Sequence, residues 1–167
     1  MADNVVFEDY SIRVMNAISE HINIALEEGA GEMESAVKRN QDRYKDTGDT
    51  TNSWTHKVVE SEHKAYIGSP LMNAIWEEFG TGEHAADGKG RAGYWVFVKG
   101  SGESEVSKPT KAYTLEEAKR IMAIMRSKGL EAYYTNGKRP RRHLEKAFND
   151  KKEKIKKIIQ KRLKELG

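Results

Sequence analysis

The chain of 167 residues contains no cysteine. That excludes a disulfide framework, a thiolate metal site and a cysteine nucleophile, and it fits assembly in a reducing cytosol. Only three prolines occur, and no 18-residue apolar window exists, so no membrane-spanning helix is expected. The opening MADNVVFEDY lacks a basic region followed by an apolar run and does not read as a signal peptide. The usual catalytic signatures are missing too: there is no G-x-x-x-x-G-K-[ST], no H-E-x-x-H and no G-x-S-x-G. Neither an enzyme nor a cofactor is expected.

Charged residues make up 33% and hydrophobic residues 37%, with three Trp, seven Tyr and four Phe. This composition folds, but around a thin core that gains from partner subunits. The net charge of +3 conceals an asymmetry. Residues 138–167 hold 13 Lys/Arg against 4 Asp/Glu, a net of +9, so residues 1–137 carry −6. An acidic body with a basic arm points to self-association or to a polyanion.

Periodicity predicts an α+β chain. Residues 8–44 read as helix, with Val14, Ile18, Ile22, Ala25 and Leu26 on one face and with Gly29 and Gly31 as a bend or interruption. Residues 45–53 form a loop of turn residues. SWTHKVVES and HKAYIGS predict a hairpin turning at 60–62. A short helix follows over about 70–79, capped by Ser69, with Pro70 at its first position and Gly80 as a left-handed stop. Met72, Ile75, Trp76 and Phe79, at i, i+3, i+4 and i+7, form one apolar stripe of this helix. A glycine-rich loop (82–93), a strand (94–98) and a linker (99–111) come next. A helix with a Thr114–Glu117 capping box then precedes a strand at 130–135 and a turn at Asn136-Gly137. Residues 99–135 read as a helix–strand insertion in a single domain. A long helix from about Arg141 to Leu166 is apolar on one side and Lys-rich elsewhere, and is expected to overhang the body.

Two adjacent carboxylates, Glu77 and Glu78, stand where a helix end disfavours negative charge. Neighbours on a helix diverge by about 100°, so they do not converge on one bond as an acid–base pair. The best supply of cations is Lys138, Arg139, Arg141 and Arg142, within a subunit or across a subunit boundary. Glu83, His84 and Asp87 offer metal-type ligands in one loop but read as a solvated loop, and His56 with His63, across the hairpin from each other, lack a third ligand, so no metal site is expected. GKGRAG (88–93) opens no helix and reads as a surface loop rather than a phosphate cradle.

In this order the residues resemble the head–tail joining proteins of long-tailed phages and prophages, also called neck or tail-completion proteins. TGDTTNSW matches the family's TG-x-L-x-x-S turn at Thr47, Gly48 and Ser53. MNAIWEEFGTG matches Y-A-x-x-x-E-F-G-T at Ala74, Glu78, Phe79, Gly80 and Thr81. KRPRRHLEKAF matches P-x-x-F-L-x-x-A at Pro140, Leu144 and Ala147. Thr50, Asn73 and His143 depart from the pattern. The resemblance implies a structural virion protein that forms a ring at the portal–tail junction. Its partners would be copies of itself, a portal or connector protein and tail proteins, with DNA as a passing cargo and neither membrane nor small-molecule substrate. Trp76, Glu77, Glu78, Phe79, Arg139, Arg141 and Arg142 are the expected interface residues. Such a protein would be found in the virion, and in the host cytoplasm during assembly. The alternative expectation is a nucleic-acid-binding module using the basic terminal helix.

Overall fold

The computed structural model describes residues 8–44, 48–99 and 112–166. Thr47 and nearly all of the 99–111 linker lie outside the described residues. The elements run α1 (Ser11–Asp42), α2 (Asp49–Asn52), β1 (Thr55–Val59), β2 (Lys64–Gly68), α3 (Met72–Phe79), β3 (Trp95–Val98), α4 (Leu115–Ser127), β4 (Ala132–Thr135) and α5 (His143–Lys164). Strand pairing is antiparallel in two separate two-stranded sheets, β1–β2 and β3–β4. The architecture is α+β.

The chain forms two compact units. One comprises the chain up to Pro70 together with the chain from His143 onward; the other is Leu71–Arg142. Within the second unit β4 pairs with β3, Trp95 opposite Thr135 and Val98 opposite Ala132.

In the first unit α1 is one unbroken helix. Gly29 does not interrupt it; it admits α5, since a methyl group there would stand 3.2 Å from Ile155 Cγ2. The helices run antiparallel. Asn40 Nδ2 donates to the His143 carbonyl (3.2 Å) at one end, and His21 Nδ1 donates to the Arg162 carbonyl (3.0 Å) at the other. The basic helix thus does not overhang: it lies along α1. Glu32 meets Lys154 (2.7 Å) and Lys151 (3.6 Å), and Glu28 accepts from Arg162 Nε (3.3 Å). The core between them is built of small residues, Ala25, Ala30, Ala36 and Ala147, around Val37 and Met33. Buried Gln41 accepts from the Trp54 indole, and His143 packs on Tyr44 with ring centroids 5.6 Å apart. Residues 49–52, expected as loop, close one helical turn: Asn52 N donates to Gly48 O at 2.9 Å, with Gly48 at φ 93°.

The β1–β2 hairpin packs on the same helix. His56 bridges Glu34 (Nδ1–Oε2, 2.6 Å) and Glu27 (Nε2–Oε1, 3.0 Å). His63 is not its cross-strand partner, because Ile67 stands opposite His56 while His63 lies in the turn at φ 50° and bonds Asn23 at 3.0 Å.

In the second unit α4 lies against the β3–β4 sheet, with Ala118 and Ala132 fully buried. Its capping box is present in both directions: Glu117 N donates to Thr114 Oγ1 (3.3 Å) and Thr114 N to Glu117 Oε2 (2.8 Å).

Two outcomes are expected. A methyl group on Gly31 meets only His56 Cε1, at 4.0 Å, so Gly31→Ala should raise stability by about 0.5–1 kcal/mol in chemical denaturation. Gly29→Val, crowding Ile155, should lower it. The Glu27 hydrogen bond, then that of Glu34, raise the His56 pKa above its ordinary value against the opposing effect of burial. His56 therefore contributes fully below about pH 6.5 and loses that contribution as pH climbs through its raised folded value. The stability gap between wild type and His56→Gln should narrow as pH rises from weakly acid to weakly alkaline.

Candidate assembly surface on the short helix

Helix α3 is turned the opposite way from its apolar stripe. Glu77 and Glu78 are 8% and 7% exposed, beside buried Ala74, whereas Met72, Ile75, Trp76 and Phe79 are 45%, 46%, 38% and 59% exposed.

The cause is the basic turn that follows β4. Arg141 Nη1 donates to both Glu77 carboxylate oxygens, at 2.9 Å and 3.1 Å, and Lys138 Nζ donates to Oε1. The Glu77 carbonyl accepts the Arg141 amide at 2.6 Å. A carbonyl in the last helical turn, which has no partner within the helix, is thereby satisfied. Burial alone would raise the Glu77 carboxyl, but the Lys138 ammonium and the Arg141 guanidinium outweigh it and hold its pKa below the usual value. The cations for the misplaced carboxylate come from the same unit of the same chain.

The two strips of backbone are zipped further along. Thr81 N donates to Lys138 O (2.9 Å), Lys138 N to Thr81 Oγ1 (3.0 Å) and Glu83 N to Asn136 O (3.0 Å). Glycine is required on both sides. Gly80 stops the helix at φ 74° with ψ 178°, an extended ψ rather than the left-handed helical conformation expected. A Cβ there would stand 2.8 Å from Lys138 O and from Pro140 Cδ. At Gly137, φ 130°, a Cβ would fall 2.0 Å from Thr81 O. At the other end of α3 Ser69 is not the cap. Leu71 occupies that position, and Ser69 Oγ lies 2.7 Å from Ser53 Oγ.

The second sequence motif is therefore joined to the start of the third, through Glu77, Gly80, Thr81, Lys138, Pro140 and Arg141. The first motif is not part of it: Gly48 and Ser53 belong to the other unit, as does half-buried Leu144. Arg139 and Arg142 are exposed, Arg142 at φ 53°. No family model, curated protein or solved structure matches this chain.

The loop after α3 is held by Glu83, whose carboxylate accepts from Asn136 Nδ2 (2.8 Å) and Gly93 N (3.0 Å). One oxygen serves the Gly93 amide and the other the Asn136 side chain, and no three-ligand metal cluster of His, Asp or Glu forms among the described residues. Between that loop and α3 lies a concavity of about 420 Å³, lined in part by Trp76, Phe79, Gly80, Gly82 and Ala85. The exposed stripe borders this concavity through Trp76 and Phe79. The available signal was Glu77: two carboxylates at a helix end, with five basic or proline residues in KRPRR to receive them.

Glu77→Ala should destabilise the protein by about 1–3 kcal/mol, less than for a fully buried pair because both cations reach solvent. Because the folded pKa of Glu77 is depressed, its contribution holds above about pH 4.5 and is lost as pH falls through the folded value. The stability gap between wild type and Glu77→Gln should be flat above pH ~5 and shrink toward pH ~3.

Proposed function

We infer that this protein is a structural assembly subunit of the kind that joins a phage head to its tail, working in the virion neck rather than as an enzyme. The observation that carries the reading is the inverted helix: Glu77 is held inward by Lys138 and Arg141, which keeps Met72, Ile75, Trp76 and Phe79 outward. An exposed apolar stripe on an otherwise polar chain is a protein–protein contact surface. The motifs that resemble the head–tail joining proteins support the same reading, since Gly80, Thr81 and Pro140, matched in two of them, lie in this clasp. Copies of the chain, a portal or connector protein and tail proteins are the partners it implies.

A second reading rests on α5. With Glu28 and Glu32 engaging Lys151, Lys154 and Arg162, a separate row of Lys146, Lys152, Lys156, Lys157 and Lys164 remains exposed to solvent. That row suits phosphate contact. It predicts a linear fall of log affinity with log salt concentration, and no binding to DNA at low salt removes it.

The main reading is tested by mixing the purified protein with the portal, connector and tail proteins found in its source genome and weighing the products by native mass spectrometry. A defined complex is expected; a chain that joins none of them refutes the reading. Phe79→Ala should change unfolding free energy by no more than about 0.5 kcal/mol, as for other exposed positions, while weakening that complex.

A further inference from the structure

The turn after β4 carries the chain's only asparagine followed by glycine, Asn136-Gly137. In such a pair the glycine nitrogen can attack the side-chain carbonyl carbon of the asparagine, because no side chain crowds its approach. Ammonia leaves, made of the asparagine side-chain NH2 and the proton of the glycine amide. Water then opens the resulting cyclic imide at either carbonyl and leaves an aspartyl or an isoaspartyl residue. Nothing is oxidised or reduced, and water is the one co-reactant.

The fold requires this labile pair. Gly137 sits at φ 130°, and a Cβ there would fall 2.0 Å from the Thr81 carbonyl oxygen, so a bulkier residue that would slow the attack does not fit. The same turn engages both reacting groups. Asn136 Nδ2, in the group that must leave, donates to Glu83 Oε2 at 2.8 Å. The attacking nitrogen of Gly137 donates to Thr135 Oγ1 at 3.0 Å, and the Thr135 hydroxyl donates to the Gly137 carbonyl at 3.1 Å. The Asn136 carbonyl accepts the Glu83 amide at 3.0 Å. Backbone on both sides of the reacting bond is thereby fixed.

We propose that Asn136 is a spontaneous deamidation site gated by this turn. While the turn is closed, the amide is preserved; when it opens, the amide is lost irreversibly, and the product resists reclosure. A carboxylate at position 136 would face the Glu83 carboxylate across the space now spanned by a hydrogen bond, and like charges so close repel. An isoaspartyl link adds a methylene to the backbone and shifts the carbonyl of residue 136 out of step with Glu83 N. That rung adjoins the pairing of Thr81 with Lys138 and, through Lys138, the ion pair with Glu77. Openings of the clasp are thus recorded in covalent structure. This chemistry belongs to the chain itself and does not depend on what the α3 surface binds.

The test incubates wild-type protein in weakly alkaline buffer, folded and in denaturant, and follows residue 136 by peptide mapping with mass spectrometry. Aspartyl and isoaspartyl products should accumulate in the denaturant about tenfold faster than in the folded protein, as expected when reaction must first break a hydrogen bond to a carboxylate. Glu83→Ala, or Thr135→Val should the first not fold by circular dichroism, should close most of that gap. Asn136→Asp copies the aspartyl product, and at neutral pH it should melt below wild type. The reciprocal pair, Glu83→Gln with Asn136→Asp, again sets an amide opposite a carboxylate and should recover most of the loss, which separates this contact from general damage. The proposal is overturned by equal rates in folded and denatured protein, by an amide that persists in the denaturant, by a folded gate variant that reacts no faster than wild type, by Asn136→Asp melting with wild type, or by a reciprocal pair no more stable than Asn136→Asp alone.

Discussion

A carboxylate removed from water must be met by donors or it will not ionise there, and Glu77 is met by two cations at once. Lys138 and Arg141 stand 61 and 64 residues further along the chain. Their approach draws the backbone of the basic turn onto the stretch after α3, where Thr81 and Glu83 engage Lys138 and Asn136. The ion pair, the helix end and the glycine contacts constrain one another. The dipole penalty on a late-turn carboxylate, roughly 0.3–1 kcal/mol at a surface, is small beside what a buried unpaired charge costs. The pair therefore decides which side of α3 faces in, and the apolar side is left to solvent.

Much of the fold is legible in the residues because it is local. The capping box at Thr114 and Glu117, the hairpin after Trp54 and the stripe of α4 are each specified within a few positions, and each appears where the spacing puts it. Gly29 misleads for a reason that is not local: the cost of glycine in a helix is visible in sequence, whereas the close approach of Ile155 is not. Ser69 carries the chemistry of a cap, but its hydroxyl meets Ser53 instead. The inverted α3 is the clearest instance. Met72, Ile75, Trp76 and Phe79 have helical spacing, and spacing identifies a stripe without saying what covers it. The cations that answer Glu77 were identifiable by type; that they belong to the same unit, and reverse the helix, depends on tertiary contact.

The pairing of α1 with α5 settles the charge asymmetry in part. A net-basic helix along a helix bearing Glu28 and Glu32 places opposite charges where diffuse attraction favours contact, although exposed pairs of this kind each contribute only about 0–1 kcal/mol. What holds the pair is close approach over Ala25, Gly29, Ala36 and Ala147. Small side chains bring the backbones near and leave little volume to fill, so a polar chain with few large apolar residues still closes a core.

The division of the chain after Pro70 and before His143 bears on how the molecule is made. On the ribosome, α1 emerges early, and the helix that covers it follows only after the whole of 71–142 has been synthesised. For that interval Ala25, Ala36 and their neighbours are exposed on a nascent chain, available to chaperones or to mispairing. Contacts of such long sequence separation slow closure of that core. The clasp of Glu77 with Arg141, in contrast, lies within one continuous stretch of translation.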